Sequence, residues 1–220
     1  MALSYLILTE QCLKVYLVDQ QNIMKNRFDT IIDSYLENKV GIDNNFISRS
    51  LSNGLQDNIL QLQRDEMMRN AGIGNREIKD PSQKVRGDKI YWMDKKNPNV
   101  HEQAFLQLAE EFIEHLNRTC YTGINDYEFH YAVYEEGSYY KRHKDQFKND
   151  DSRKYSLINY LNKDWLEEDG GQLLVYQEEV VQKISPQSQT AVFFKSNEME
   201  HEVATAHRSR MSISGWLKQG

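Results

Sequence analysis

His143-Lys144-Asp145, with His201 farther along the chain, are residues of the right type and spacing to hold a metal ion. On a β-strand, side chains two apart point to the same face, so His143 and Asp145 can reach one ion from a single strand. His201 must then come from a later strand folded alongside. Two imidazoles and one carboxylate on one side of an ion leave the other positions open for substrate and O2, as in a non-haem Fe(II) centre.

Arg210 follows nine residues after His201, in the run Arg210-Met211-Ser212-Ile213-Ser214-Gly215-Trp216. The run alternates, so Arg210, Ser212, Ser214 and Trp216 share one face and Met211 and Ile213 the other. An arginine on the face of an inward-pointing tryptophan is partly buried, and a buried guanidinium needs an anionic partner. No acid lies in that strand. A bound dicarboxylate would serve, as would one of the chain's many glutamates if the arginine were at the surface.

His143-x-Asp145, His201 and Arg210 at these spacings resemble the 2-oxoglutarate- and Fe(II)-dependent dioxygenases, and within them the prolyl 4-hydroxylase superfamily. The branch most resembled is that of the hypoxia-inducible-factor prolyl hydroxylases and their bacterial relatives. Val85-Arg86-Gly87-Asp88-Lys89-Ile90 and Trp92 are similar to its entry strand. Tyr134-Glu135-Glu136-Gly137 is similar to its Tyr-x-x-Gly stretch. Tyr160-Leu161-Asn162, Trp165 and Gly170-Gly171-Gln172-Leu173 follow its Tyr-Leu-Asn, Trp and Gly-Gly-x-Leu block. The resemblance covers roughly residues 40–217.

The resemblance implies Fe(II) held by His143, Asp145 and His201, with 2-oxoglutarate as cosubstrate, O2 as oxidant and ascorbate as a candidate reductant. Arg210 would pair with the far carboxylate of 2-oxoglutarate as a charge-assisted contact. The sum of Fe(II), Asp145 and Arg210 leaves two positive charges, which the dicarboxylate neutralises. By resemblance, Tyr160 donates its hydroxyl to the same carboxylate, Ile158 and Leu173 line the pocket, and Tyr134 closes it nearer the metal. Trp216 joins this cofactor-binding set. The Asn70–Arg86 stretch, carrying Arg76, Asp80, Pro81 and Arg86 and leading into Asp88, corresponds to a loop that folds over peptide substrate. Its length also suits a functional loop or a disordered connector. The activity implied is hydroxylation of an exposed proline in a protein partner, releasing succinate and CO2. Two alternatives stay open: hydroxylation of a small molecule or free amino acid, and a non-catalytic sensor that holds iron and 2-oxoglutarate.

Composition narrows the classes. The chain has 220 residues and a net charge of −6, with an isoelectric point near 5.6. That size suits a single domain with a sizeable core. The acidic balance argues against a nucleic-acid partner. No apolar run reaches the length of a membrane span. Ser4–Thr9 lacks the basic flank of a signal peptide, so a cytoplasmic location is expected. Cys12 and Cys120 are too few for a disulfide framework, and each suits a small buried position. The sequence does not specify an oligomeric state.

These motifs need elements to position them. Residues 1–23 show no clear period and are set apart as an extension, with Met24 an alternative start. The resemblance implies that residues 24–220 form a single dioxygenase domain. Phe28, Ile31, Ile32, Tyr35 and Leu36 recur at helical spacing, as do Leu51, Leu55, Ile59, Leu60 and Leu62. A third helix spans about Asn99 to Asn117. From Tyr127 the chain turns to strands: Phe129–Glu135, Tyr155–Leu161, Gln172–Glu178, Thr190–Lys195 and Ser209–Leu217. Helices followed by strands predict an α+β protein. The resemblance implies a double-stranded β-helix, a jelly-roll or cupin-like core over about residues 127–217, with supporting N-terminal helices. His130 shares a strand with Ala132 and Tyr134 and can approach the barrel interior, without being assigned as a ligand. His101, His115 and His207 read as surface or packing residues.

Overall fold

The computed structural model describes residues 27–72, 85–146, 151–178 and 180–220. Arg76, Asp80, Cys12 and the 1–23 extension lie outside these residues. Residues 27–38 form helix α1. It is followed by α2 (Arg49–Arg64) and α3 (Val100–Cys120). Ser48 caps α2 by accepting a hydrogen bond from the Leu51 amide, and Asn99 caps α3 by accepting from His101 and Glu102. Each cap satisfies amides that the first helical turn leaves without carbonyl partners. No helix among the described residues is long and apolar enough to cross a membrane.

Eleven strands form two antiparallel sheets among the described residues. The larger has the order β1 (Gly41–Asp43), β9 (Ala191–Lys195), β6 (Arg153–Tyr160), β11 (Arg210–Lys218), β4 (Asp126–Tyr134), β3 (Lys89–Trp92) and β2 (Arg69–Asn70). The smaller has the order β5 (Tyr140–His143), β10 (Glu200–Val203), β7 (Leu173–Gln177) and β8 (Val180–Ile184). Together they make a double-stranded β-helix with helices laid on the larger sheet.

Strand alternation sorts the larger sheet into two faces. Phe129, Tyr131, Leu157, Phe193 and Ile213 point into the helix-covered core with Phe46, Phe105 and Phe112. Ala132, Tyr134, Ile158, Tyr160, Val192 and Phe194 point the other way, toward Leu173, Val175 and Val203 of the smaller sheet. Each fully buried large apolar side chain stabilises by roughly 1.5–3 kcal/mol. The larger cluster is the helix-covered one, so more of the apolar burial lies between helices and sheet than between the two sheets. That leaves the space between the sheets free to hold polar groups.

A bridge between Arg86 and Tyr140 ties the run before β3 to the first strand of the smaller sheet. Cys120 is exposed at the end of α3, which corrects the expectation of a buried thiol. His115 is buried and its Nε2 lies 2.7 Å from Asp29 Oδ1, a packing role as expected.

Candidate active site

The smaller sheet places both histidines. His201 of β10 stands directly opposite His143 of β5 in the antiparallel register. Asp145 does not share their strand. β5 stops at His143 and Asp145 lies in the bend that follows, which corrects the reading of His143 and Asp145 as same-face residues of one strand. Hydrogen bonds set its position instead. Ser156 Oγ, on β6 of the larger sheet, donates to Asp145 Oδ2 at 2.6 Å, and itself lies 2.9 Å from Ser196 Oγ. Arg153 donates to the Asp145 carbonyl at 3.3 Å. One sheet thus supplies the imidazoles and the other steadies the carboxylate.

One ligand atom from each of His143, Asp145 and His201 lies within 4.8 Å of the other two. Asp145 Oδ1 is 3.5 Å from His143 Nε2 and 3.7 Å from His201 Nε2. His143 Nδ1 lies 2.8 Å from the Lys141 carbonyl, and His201 Nδ1 lies 3.3 Å from that of Met199. A carbonyl accepts only from an N–H, so each Nδ1 carries the proton and each Nε2 keeps its lone pair for a metal. Burial works to raise the Asp145 carboxyl, but His201, His143 and the Ser156 hydroxyl outweigh it and hold Asp145 well below the usual range. An ionised carboxylate with two imidazole lone pairs fits the donor set of a non-haem Fe(II) centre.

Arg210 begins β11 and is 1% exposed. Its Nε donates to the Gly171 carbonyl at 2.8 Å, and Nη1 lies 3.5 Å from Ser212 Oγ. The rings of Tyr134 and Tyr160 flank the guanidinium carbon at 4.9 and 5.0 Å. Among the described residues no carboxylate pairs with it. Among the described residues the buried Tyr160 hydroxyl makes no well-formed hydrogen bond, although the Arg210 guanidinium is near enough to act on it, and burial raises the phenol so that it stays protonated. A buried guanidinium with no carboxylate partner among the described residues, beside a phenol O–H, fits the carboxylate end of an anionic ligand. Ile158 and Leu173 line the same cavity, whose volume is about 850 Å³ and which also takes in the three metal-site residues.

Trp216 lines this cavity as well, but lies six residues along β11 from Arg210, roughly 20 Å at strand rise. It does not touch the guanidinium. Its ring stacks on His130 and lies under Arg153, with the guanidinium carbon 3.4 Å from the ring centre. Arg86 forms a two-point ion pair with buried Asp88, at 2.7 and 2.5 Å. The Arg86 guanidinium also covers the Tyr140 ring at 4.3 Å, and that ring stacks on His143 at 3.6 Å. Four side chains thus run in contact from Asp88 to His143. Tyr140, Arg153, Ser156 and His130 are site residues that sequence reasoning did not select. Ser156 was within reach of it, because it shares a face with Ile158 and Tyr160. His130 shares one with Tyr134.

The fold is a double-stranded β-helix with a donor set that suits a metal ion, and residues 129–218 match the 2OG-Fe(II) oxygenase superfamily. The match takes in His143, Asp145, His201 and Arg210, so the residues brought together in the cavity all fall within the segment similar to that superfamily. Within it the chain is close to the prolyl hydroxylases. It is 33% identical to Egl nine homolog 1 of Rattus norvegicus over 148 residues, which are 62% of this chain and 43% of the relative. The Homo sapiens protein of the same name is also 33% identical, over 34% of its length. The chain therefore spans less than half the length of these curated relatives. A prolyl-4-hydroxylase from Pseudomonas putida superposes with a TM-score of 0.79 at 28% identity, covering 88% of this chain and 99% of its own. A Trichoplax adhaerens prolyl hydroxylase, solved with a peptide of the hypoxia-inducible factor oxygen degradation domain, gives 0.82 at 26%, covering 91% and 92%.

Proposed function

We propose that this chain is a 2-oxoglutarate- and Fe(II)-dependent dioxygenase that hydroxylates a prolyl residue of a protein substrate, releasing succinate and CO2. The observation that carries the reading is Arg210, buried with no carboxylate partner among the described residues, in the cavity that also holds His143, Asp145 and His201. Similarity to prolyl hydroxylases, one of them solved with a peptide bound, supports the choice of substrate class.

His143 Nε2, His201 Nε2 and Asp145 would hold the iron. Bound Fe(II), together with 2-oxoglutarate, supplies the O2 activation that oxidises the target C–H bond. The chain's own residues do the rest. Arg210 and the Tyr160 hydroxyl bind the far carboxylate of 2-oxoglutarate and so fix its reacting end toward the metal site. Ile158, Leu173 and Tyr134 form a largely apolar wall that keeps water from that contact. The Arg86–Asp88 pair braces Tyr140 against His143, and Ser156 holds Asp145.

The test is anaerobic loading with Fe(II) and 2-oxoglutarate, then O2, with succinate measured alongside a +16 Da product on proline-containing peptides. Peptide-dependent succinate that Asp145→Ala abolishes is the expected result. Turnover on free proline in preference to every peptide would favour the small-molecule alternative. Stoichiometric binding of both cofactors without succinate would mark a sensor.

A further inference from the structure

β4 presents Glu128, His130, Ala132 and Tyr134 to the space between the sheets, while the residues between them pack under the helices. Three of these have evident roles or partners. Tyr134 flanks Arg210, Ala132 fills the core, and Glu128 accepts from Arg153 at 2.8 Å. His130 is different. It is 3% exposed and lines the cavity, with its ring against two indoles that also touch each other. The ring centres lie 4.9 Å from Trp92 and 5.4 Å from Trp216, the latter nearly parallel at 27°. Among the described residues nothing hydrogen-bonds to this imidazole, and Nδ1 is a buried polar atom with no partner.

Such a group costs stability that a phenyl ring in the same place would not. Its chemistry is well defined all the same. Burial and the nearby Arg86 guanidinium push the imidazole down to about 4, so the ring is neutral and carries one donor and one acceptor. A proton on Nδ1 would bury a donor without an acceptor. The proton therefore belongs on Nε2. The charges around the ring are already matched, with Arg86 paired to Asp88 and Arg153 to Glu128. This part of the cavity offers aromatic walls and a neutral donor rather than net charge. A main-chain carbonyl suits it, whereas the carboxylate and ammonium of a free amino acid would find no opposite charge left over.

We propose that His130 is a substrate-contacting specificity residue, donating from Nε2–H to a main-chain carbonyl of the bound polypeptide while Trp92 and Trp216 hold the ring in place. The proposal rests on the prolyl-hydroxylase reading above and narrows its substrate to a blocked, internal stretch of polypeptide.

The test compares wild type, His130→Phe and His130→Gln, all loaded with Fe(II), on an end-blocked peptide library with one proline per peptide. Phenylalanine keeps the stacking and removes the donor. Glutamine carries an amide N–H where Nε2 stands. For the best peptide, His130→Phe should lower kcat/KM roughly five- to tenfold, the loss of one neutral hydrogen bond. It should leave KM for 2-oxoglutarate unchanged and Tm no lower than wild type. His130→Gln should recover most of the peptide kcat/KM. Wild-type kcat/KM in His130→Phe would overturn the proposal. So would a joint fall of the peptide and 2-oxoglutarate parameters, because the ring would then be shaping the whole cavity. If the wild-type enzyme hydroxylates no peptide, the prolyl reading fails and takes this proposal with it. An active wild type with an unaffected phenylalanine variant sinks the role of His130 alone.

Discussion

His201 and His143 are direct partners across the β10–β5 ladder, with ring centres 4.3 Å apart, while Asp145 is held from the opposite sheet by Ser156. The metal site therefore straddles the two sheets of the β-helix, and its geometry depends on a hydroxyl as well as on the ligands. Ser156→Ala should weaken Fe(II) affinity about tenfold or somewhat more, the usual effect of losing a partner that orients a ligand. Ser156 contacts neither Arg210 nor Tyr160, so 2-oxoglutarate affinity at saturating metal should hold. Anaerobic titration of the variant with Fe(II) or Co(II) measures the change. Wild-type metal affinity would mean that Asp145 is fixed by the bend alone.

Arg210→Ala should raise the 2-oxoglutarate requirement by orders of magnitude and spare metal affinity, since truncating one half of a buried charge pair typically costs about 3–5 kcal/mol. Tyr160→Phe should cost less, about 0.5–1.5 kcal/mol of cosubstrate binding for one hydrogen bond, or somewhat more to a charged acceptor. The same variant should leave the free protein as stable as wild type or slightly more so, because the hydroxyl it removes is buried and makes no well-formed hydrogen bond among the described residues. Steady-state KM for 2-oxoglutarate and a thermal melt separate the two effects. Equal KM in Arg210→Ala and wild type would place the dicarboxylate elsewhere.

Much of this site could be read from residue type and spacing. Arg210 on an alternating strand without an acid near it pointed to a buried cation lacking a partner, and the guanidinium is buried with no carboxylate partner among the described residues. The three helices were legible because their apolar residues repeat over several turns. The short strands were not. β1, β2, β5, β8 and β10 have two to five residues, too few for a period to stand out, and they are fixed by pairing with distant partners. That is also why Asp145 was misplaced: nothing local says that β5 ends at His143. Ser156 and His130 carry no motif, and their importance comes from what other strands bring beside them.

The buried imidazole of His130 also predicts a pH dependence. Its folded value is pushed down to about 4, against roughly 6.5 when unfolded. Between these values the unfolded chain binds the proton and the folded chain does not. Stability is therefore unaffected above about pH 6.5 and is lost as pH falls toward 4, by roughly 3 kcal/mol in all. His130→Gln has no such group. Urea melts of both proteins at several pH values should show wild type losing more stability than the variant across this window, with parallel behaviour above it. Parallel curves throughout would mean that the folded protein protonates the ring as readily as the unfolded chain does.

Gly171 shows how closely the backbone approaches the cosubstrate site. It adopts φ +64°, in the left-handed region, and its carbonyl accepts from Arg210 Nε at 2.8 Å. A Cβ placed there would lie 3.0 Å from Arg210 Cδ and 3.3 Å from the Trp165 ring. Alanine thus meets two difficulties: a backbone conformation unfavourable for L-residues by roughly 1–2 kcal/mol, and a contact that presses on the arginine stem. The tryptophan is itself fixed, since its Nε1 donates to the Gly170 carbonyl at 2.9 Å, so relief must come from the arginine. Gly171→Ala should therefore lower stability by about 1–2 kcal/mol and raise KM for 2-oxoglutarate, with Fe(II) affinity unchanged because His143, Asp145 and His201 do not touch this turn. Chemical denaturation gives the first quantity and cosubstrate titration the second. A variant that lost stability but bound 2-oxoglutarate like wild type would show that the added Cβ does not displace the Arg210 guanidinium.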